Sequence, residues 1–439
     1  MAHSLPATEI REPSAGELIA ARPHLSMHAM DGLVLEGVPL NAVADSLGTP
    51  VWVYGGGTAL ARYHRLARAL DGLAAHIHYA VKANDHLAVL RVFGRAGAGA
   101  DVVSEGEMRR ALSAGIAPDR IVFSGVGKTM GDLRAAVGHG IAQINVESPA
   151  ELEMLSSVAV AEGRAARVVL RINPDVDAGT HAKITTGRAD NKFGVPIAEA
   201  VALFGHATSL PGIEPVGIAL HIGSQILSLA PYHAAYARAA ELVGELRAAG
   251  HAISRVDCGG GLGIGYGDEA DASPEAFAGA LRLAFGDLGV ALIVEPGRWL
   301  IGPAGVLLAS VILVKGHGRF VVLDAAMNDL VRPAMYDAWH GIVPLSAVDF
   351  RRPAATVDIV GPVCETGDTF ARNRALAPLR AGARVAILDV GAYGAVMSST
   401  YNARPLAPIA MVDGERWATI RARQTHAAMW DGETIPDFA

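Results

Sequence analysis

The chain has 439 residues, more than one hydrophobic core usually supports, so two domains are expected. Apolar residues make up 51% and charged ones 18%, enough for a large buried interior and a subunit interface. A net charge of -7 without a basic run argues against nucleic acid or membrane as partners, and the longest apolar stretch, residues 305–314, is far shorter than the roughly 20 residues of a spanning helix.

From the N-terminus, residues 33–36 read as a strand and 40–47 as a short helix, a segment (1–50) expected to join a later β-domain. Tyr54-Gly55-Gly56-Gly57 then stands where a polar residue would open a helix. Next comes YAVKAND, in which Lys82 closes the apolar run 76–81. A lysine there loses hydration, and deprotonation or a covalent bond to a carbonyl relieves that cost; an ammonium led back into water relieves it as well. Further strand-like runs follow at 98–104, 120–125, 142–148, 167–174, 216–224, 255–261 and 291–297, most of them separated by helical stretches. Eight continuous apolar strands alternating with helices within about 250 residues have the count and size of a (β/α)8 barrel, here placed at 51–312. Such barrels carry their chemistry at the C-terminal strand ends, which here hold Lys82, Asp101, Ser124, Glu147, Arg171, Asn173, His221, Ser224, the glycines 259–261 and Glu295. Beyond residue 312 the runs at 319–324, 356–360, 384–390 and 408–412 lack helices between them, so 313–439 reads as a mostly antiparallel β-domain.

The motifs YAVKAND, GADVVSEGE, INPDVDAGTHAKITTG with NKFG, HIGSQI, CGGGLGI, EPGR, DAAMNDLVRPAMY, GPVCETGD, GAYGAVMSSTYN and RARQT occur in order over residues 32–425. Together they resemble the diaminopimelate decarboxylases, pyridoxal-phosphate enzymes of the alanine-racemase and ornithine-decarboxylase fold. The resemblance implies decarboxylation of meso-2,6-diaminopimelate to L-lysine, the last step of lysine biosynthesis. It also implies a homodimer in which the β-domain of one subunit completes the barrel site of the other. Asp85 departs from the serine common after the lysine motif.

Pyridoxal phosphate needs an amine for its aldehyde, donors for its phosphate and a partner for its ring nitrogen. Lys82 supplies the first. The triple glycine Gly259, Gly260 and Gly261 follows the seventh strand and either lets its three backbone N–H groups approach an anion closely or makes only a tight turn, and Gly297-Arg298 follows the eighth, loops where barrels often hold phosphate; Ser224 and Tyr393 are added by the resemblance. Glu295 ends an apolar strand and needs a positive partner, either a protonated ring nitrogen or a nearby arginine such as Arg298. By the same resemblance His221 stacks on the cofactor, while Asp101, Glu107 and Arg171 orient His221 and Lys82. For the substrate, Arg298 and Arg332 could grip a distal carboxylate, with Tyr336 and Tyr393 adding hydroxyls and Glu365 taking the distal ammonium. The family makes Cys364 the acid that protonates Cα. No metal enters this reading.

Other substrates on the same scaffold, D-ornithine, D-lysine or an L-basic amino acid, remain open, as do a racemase and a cofactor-carrying binding protein. Arg332 favours a substrate with a second carboxylate. The N-terminus has no basic region followed by an apolar one, and two cysteines make no disulfide framework, so a cytoplasmic setting is expected.

Overall fold

The computed structural model describes residues 12–177 and 193–438. Residues 178–192, which include most of the THAKITTG and NKFG motifs, lie outside the described residues.

Eight parallel strands close into a barrel: Ala75–Ala80, Gly99–Val102, Ile121–Phe123, Gln143–Val146, Ala166–Asn173, Ile213–Ala219, Arg255–Asp257 and Ala291–Val294. They pair in chain order, and the last returns to the first through Leu292 against Ala75. Their residues are mostly buried, which is why the sequence shows continuous apolar runs rather than alternation. Helices enclose them, from Gly56–Ala69 before the first strand to Pro274–Phe285 before the last. Ser104, Thr129, Ser148 and Ser273 cap four of these helices by accepting from the backbone three residues on.

The glycine run before the first helix has a specific cause. Glu36 accepts from the Thr58 N–H at 2.7 Å and its hydroxyl at 2.8 Å, capping the helix from the N-terminal segment. A Cβ on Gly55 or Gly57 would lie 2.5 or 2.9 Å from that carboxylate, so only glycine admits the distant cap.

The second sheet is mostly antiparallel and is built around the long strand Gly305–Lys315. It also takes Val51–Gly55, so its strands reach a few residues into the span 51–312 assigned to the barrel. The opening strands 25–28, 32–35 and 38–39 form their own three-stranded sheet rather than pairing into the large one. They pack on it instead: Leu33, Leu35 and Val38 share a core with Val53, Leu308, Val343 and Ala410. Thr369–Leu376 and Arg416–Arg421 are further strands at the two ends of the main strand path.

Candidate active site

Lys82 lies in a single turn, Val81–Ala83, directly after the first barrel strand. Two close contacts fix that turn. Gly297 approaches so near that a Cβ there would sit 2.9 Å from Ala83 Cβ, and the Tyr393 N–H donates to the Ala83 carbonyl at 2.8 Å. The Lys82 Nζ donates to Asp101 Oδ2 at 3.0 Å from the end of the adjacent strand. Burial works against the ammonium, but Asp101 and Glu295 outweigh it and hold the pKa above its ordinary value. The lysine is therefore kept protonated by carboxylates while 34% of its side chain stays exposed to the cavity.

Glu295 closes the eighth strand and is buried without an ion pair to Arg298, the arginine that offered the alternative explanation of it. It accepts weakly from Ser124 Oγ at 3.4 Å and neighbours Asp257. Burial, followed by Asp101 and Asp257, drives its pKa well up. Asn145 ties this group together, donating to Ser124 Oγ at 3.1 Å and to Asp257 Oδ2 at 3.0 Å.

His221 Nδ1 accepts from the Gly260 N–H at 3.2 Å, which places the imidazole proton on Nε2. Burial and the charges of Lys82 and Arg171 push its pKa well down, so the ring is neutral. The same bond corrects the picture of three loop amides facing an anion. Gly259 donates to Asp257 and Gly260 to His221, leaving the Gly261 N–H as the loop's third donor. The glycines are needed for close approach: a Cβ on Gly260 would lie 2.1 Å from the Glu295 carbonyl oxygen, and Gly261 has φ +102°.

Arg298 reaches from the eighth strand to Ser224 Oγ at 3.2 Å and lies over the Tyr393 ring at 4.8 Å. Its Nε is buried with no hydrogen-bond partner among the described residues. Arg332 and Tyr336 come from a short helix in the β-domain, Arg332–Tyr336. One cavity of about 410 Å³ is lined by Lys82, His221, Ser224, Gly261, Glu295, Gly297, Arg298, Arg332, Tyr336 and Tyr393. A second, of about 440 Å³, shares Lys82, His221 and Glu295 and extends past Ser124 and Asn145.

The remaining residues of the expected site are placed as follows. Cys364 and Glu365 are exposed and line neither cavity, and Glu365 accepts from the Tyr401 hydroxyl at 2.5 Å. Glu107 accepts from the Val103 N–H at 2.8 Å and Arg171 pairs with Glu147 at 2.7 Å rather than bonding His221 or Lys82, although Arg171 does line the second cavity beside them. Sequence reasoning missed Tyr266, Gln225 and Trp339, all in the wall of the first cavity. Tyr266 follows the triple glycine in GLGIGYGD, just beyond the CGGGLGI motif.

Comparison with known proteins gives the family. Residues 57–302 match the family described as pyridoxal-dependent decarboxylase, pyridoxal binding domain. The diaminopimelate decarboxylase of Zymomonas mobilis is 50% identical over 90% of this chain and 94% of its own length. That of Pseudomonas aeruginosa is 45% identical over 92% and 97%. The chain belongs to the diaminopimelate decarboxylases. Among solved structures of the family, the Helicobacter pylori enzyme complexed with L-lysine superposes with a TM-score of 0.86 at 38% identity, covering 89% of this chain and 98% of that one. The M. jannaschii enzyme gives 0.89 at 33%, over 95% and 99%. A lysine decarboxylase from Selenomonas ruminantium lies further off, at 26% identity and 0.76.

The residues fit the cofactor of this family. An unpartnered Arg298 Nε, the Ser224 hydroxyl and the glycine-lined Gly261 loop make an anion cradle at one end of the cavity. At the other, Lys82 offers an amine, and Glu295 is a buried carboxyl to which no arginine or lysine is bonded among the described residues.

Proposed function

We propose that the protein removes carbon dioxide from the D centre of meso-2,6-diaminopimelate and yields L-lysine, with pyridoxal phosphate anchored on Lys82. The observation that carries this reading is the presence of Arg298 and Arg332 in the wall of the Lys82 cavity. Ornithine and lysine present only an amine at the distal end, whereas diaminopimelate presents a carboxylate that a guanidinium grips through charge-assisted hydrogen bonds. Lys82 serves as the covalent anchor, and Asp101 Oδ2 holds its proton. Arg298, Ser224, Gly261, Gly297 and Tyr393 would hold the cofactor's phosphate, His221 would line its ring, and Glu295 would be the acceptor for its ring-nitrogen proton. When bound, pyridoxal phosphate supplies the electron sink that makes loss of carbon dioxide from an amino acid feasible. Arg298, Arg332, Tyr336 and Tyr393 orient the distal end, so that the scissile carboxylate belongs to the D centre.

The Cα proton is delivered by Cys364, and Glu365 receives the distal ammonium. Their exposure on a surface of the β-domain supports a homodimer in which these two residues enter the partner's cavity. Both cysteines are free thiols, which supports a reducing, cytoplasmic setting. Among the described residues, no helix is long and apolar enough to cross a membrane. The deciding assay measures carbon dioxide release from meso-diaminopimelate, D-ornithine and L-lysine. Turnover of meso-diaminopimelate alone is expected, and preferred turnover of either of the others would overturn the assignment.

A further inference from the structure

Arg298 and Arg332 approach the cavity from different domains, and one oxygen atom connects them. The Tyr266 hydroxyl accepts from Arg298 Nη1 at 2.7 Å and from Arg332 Nη2 at 3.1 Å. Two like charges brought to a common buried point repel, and burial together with Arg298 pushes the Arg332 pKa down. A phenol oxygen with two lone pairs is a neutral bridge between them.

Each piece of that bridge is fixed in turn. The Tyr266 ring meets His340 edge-on at 5.1 Å. His340 Nδ1 lies 2.9 Å from the Leu388 carbonyl oxygen, which makes it the donor and leaves Nε2 to accept from Arg332 Nε at 3.3 Å. The backbone of Tyr266 is held at both polar groups: its N–H donates to Glu269 Oε1 at 3.0 Å, and its carbonyl accepts from Arg22 Nη2 at 2.9 Å. Arg22 is locked by a buried pair with Asp389, through Nε at 2.9 and 3.1 Å, and donates from Nη1 to the Leu18 carbonyl at 2.7 Å. The bonds lead from the N-terminal segment, through the seventh-strand loop, to two guanidiniums in the cavity wall.

We infer that Tyr266 is a positioning residue for substrate specificity: braced by Arg22, its hydroxyl sets the spacing and direction of Arg298 and Arg332 so that together they receive the distal carboxylate. The inference rests on the function proposed above. It assigns Tyr266 no contact with the reacting atoms, so binding of the distal end should suffer while chemistry at Cα continues. With Tyr266→Phe in the holoenzyme, KM for meso-diaminopimelate is expected to rise on the order of tenfold with kcat within about twofold, the signature of lost uniform binding. The second reading does not depend on turnover. In holoenzyme whose cofactor has been fixed to Lys82 by borohydride, calorimetry should find the Kd for meso-diaminopimelate weakened on the order of tenfold by the same change.

Arg22→Lys keeps a positive charge opposite Asp389 but gives up the fork that reaches the Tyr266 carbonyl, and it should shift KM in the same direction. It also serves if Tyr266→Phe folds poorly. Wild-type protein inert on meso-diaminopimelate would count against the function itself. Active wild type, with KM and Kd unchanged in both variants, or with kcat falling while KM holds, would overturn the role of Tyr266 alone.

Discussion

Glu107 sits behind the Lys82–Asp101 pair, and its protonation should set part of the pH dependence of stability. Burial, with Asp101 adding repulsion, lifts its pKa from 4.5 to about 7, although the Val103 N–H and Lys82 work the other way. A carboxyl whose folded pKa exceeds its unfolded one contributes stability that is full below the unfolded value and lost as pH rises through the folded one, here between pH 4.5 and about 7. Glu107→Gln keeps an acceptor for the Val103 N–H and cannot ionise. Its advantage over wild type should therefore grow with pH. Linkage puts the growth between about pH 5.5 and about pH 8.5 at roughly 1.5 pK units, or about 2 kcal/mol, and partial exposure reduces that to about 1 to 2 kcal/mol. For a barrel of this size the gain corresponds to a Tm difference widening by roughly 2 to 8 °C across that range. Thermal unfolding of both proteins at the two pH values measures it. A difference that stays flat, or that narrows towards high pH, would show that Glu107 is ionised throughout and that burial does not govern it.

Three other outcomes follow from the site. Borohydride treatment of the purified holoenzyme should fix the cofactor to a single residue, and peptide mass spectrometry should find the adduct on Lys82; an adduct on another lysine would remove the central assignment. Arg332→Ala should lower kcat/KM on meso-diaminopimelate by about 10- to 150-fold, the loss of a charge-assisted contact worth roughly 1.5 to 3 kcal/mol, and unchanged kinetics would reopen the choice of substrate. If Lys82 of one chain works with Cys364 of the other, a heterodimer of Lys82→Ala and Cys364→Ala carries both lesions in one site and none in the other. Differently tagged, co-expressed and isolated, it should regain about half of wild-type carbon dioxide release per dimer, while sites within single chains would regain nothing.

Much of this was legible in the sequence because a buried parallel strand leaves a continuous apolar run, and all eight runs became barrel strands. The residues at their ends then converge whatever the loop details, so Lys82, His221, Ser224, Glu295 and Arg298 meet as expected. Pairing between neighbours was less legible. Arg171 turned to Glu147 at the end of the adjacent strand, a matter of strand order, and Glu107 to the Val103 amide four residues back, a local contact at the start of its own helix. The strand Thr369–Leu376 escaped notice because its sequence, TFARNRAL, is interrupted by Arg372, Asn373 and Arg374 and has no unbroken apolar run. The cap that Glu36 places on a helix 20 residues on has no local signature, and the glycines that make room for it read as a flaw. Tyr266 was overlooked for a similar reason, since its glycine-rich surroundings pointed to backbone chemistry rather than to a side chain.

The charges of the cavity are separated rather than neutralised, and that separation is hard to explain by stability. At one end Asp101, Asp257 and Glu295 crowd a single lysine, and repulsion among them raises the Glu295 pKa. At the other, Arg298 and Arg332 bond to hydroxyls and an imidazole instead of carboxylates. A fold selected only for stability would bring the two sets together, because a buried charge left with neutral partners costs several kcal/mol in general. Their spacing is maintained by rigid elements: strand ends on the acidic side, and the Arg22–Asp389 brace with Tyr266 on the basic side. A ligand bringing positive charge to the carboxyl end and negative charge to the guanidinium end relieves both strains at once. A protonated pyridine ring carrying a phosphate, beside a substrate with a distal carboxylate, has that distribution. The same logic makes Glu295 and Arg332 poor candidates for removal by drift towards apolar residues, even though either change could make the empty fold more stable.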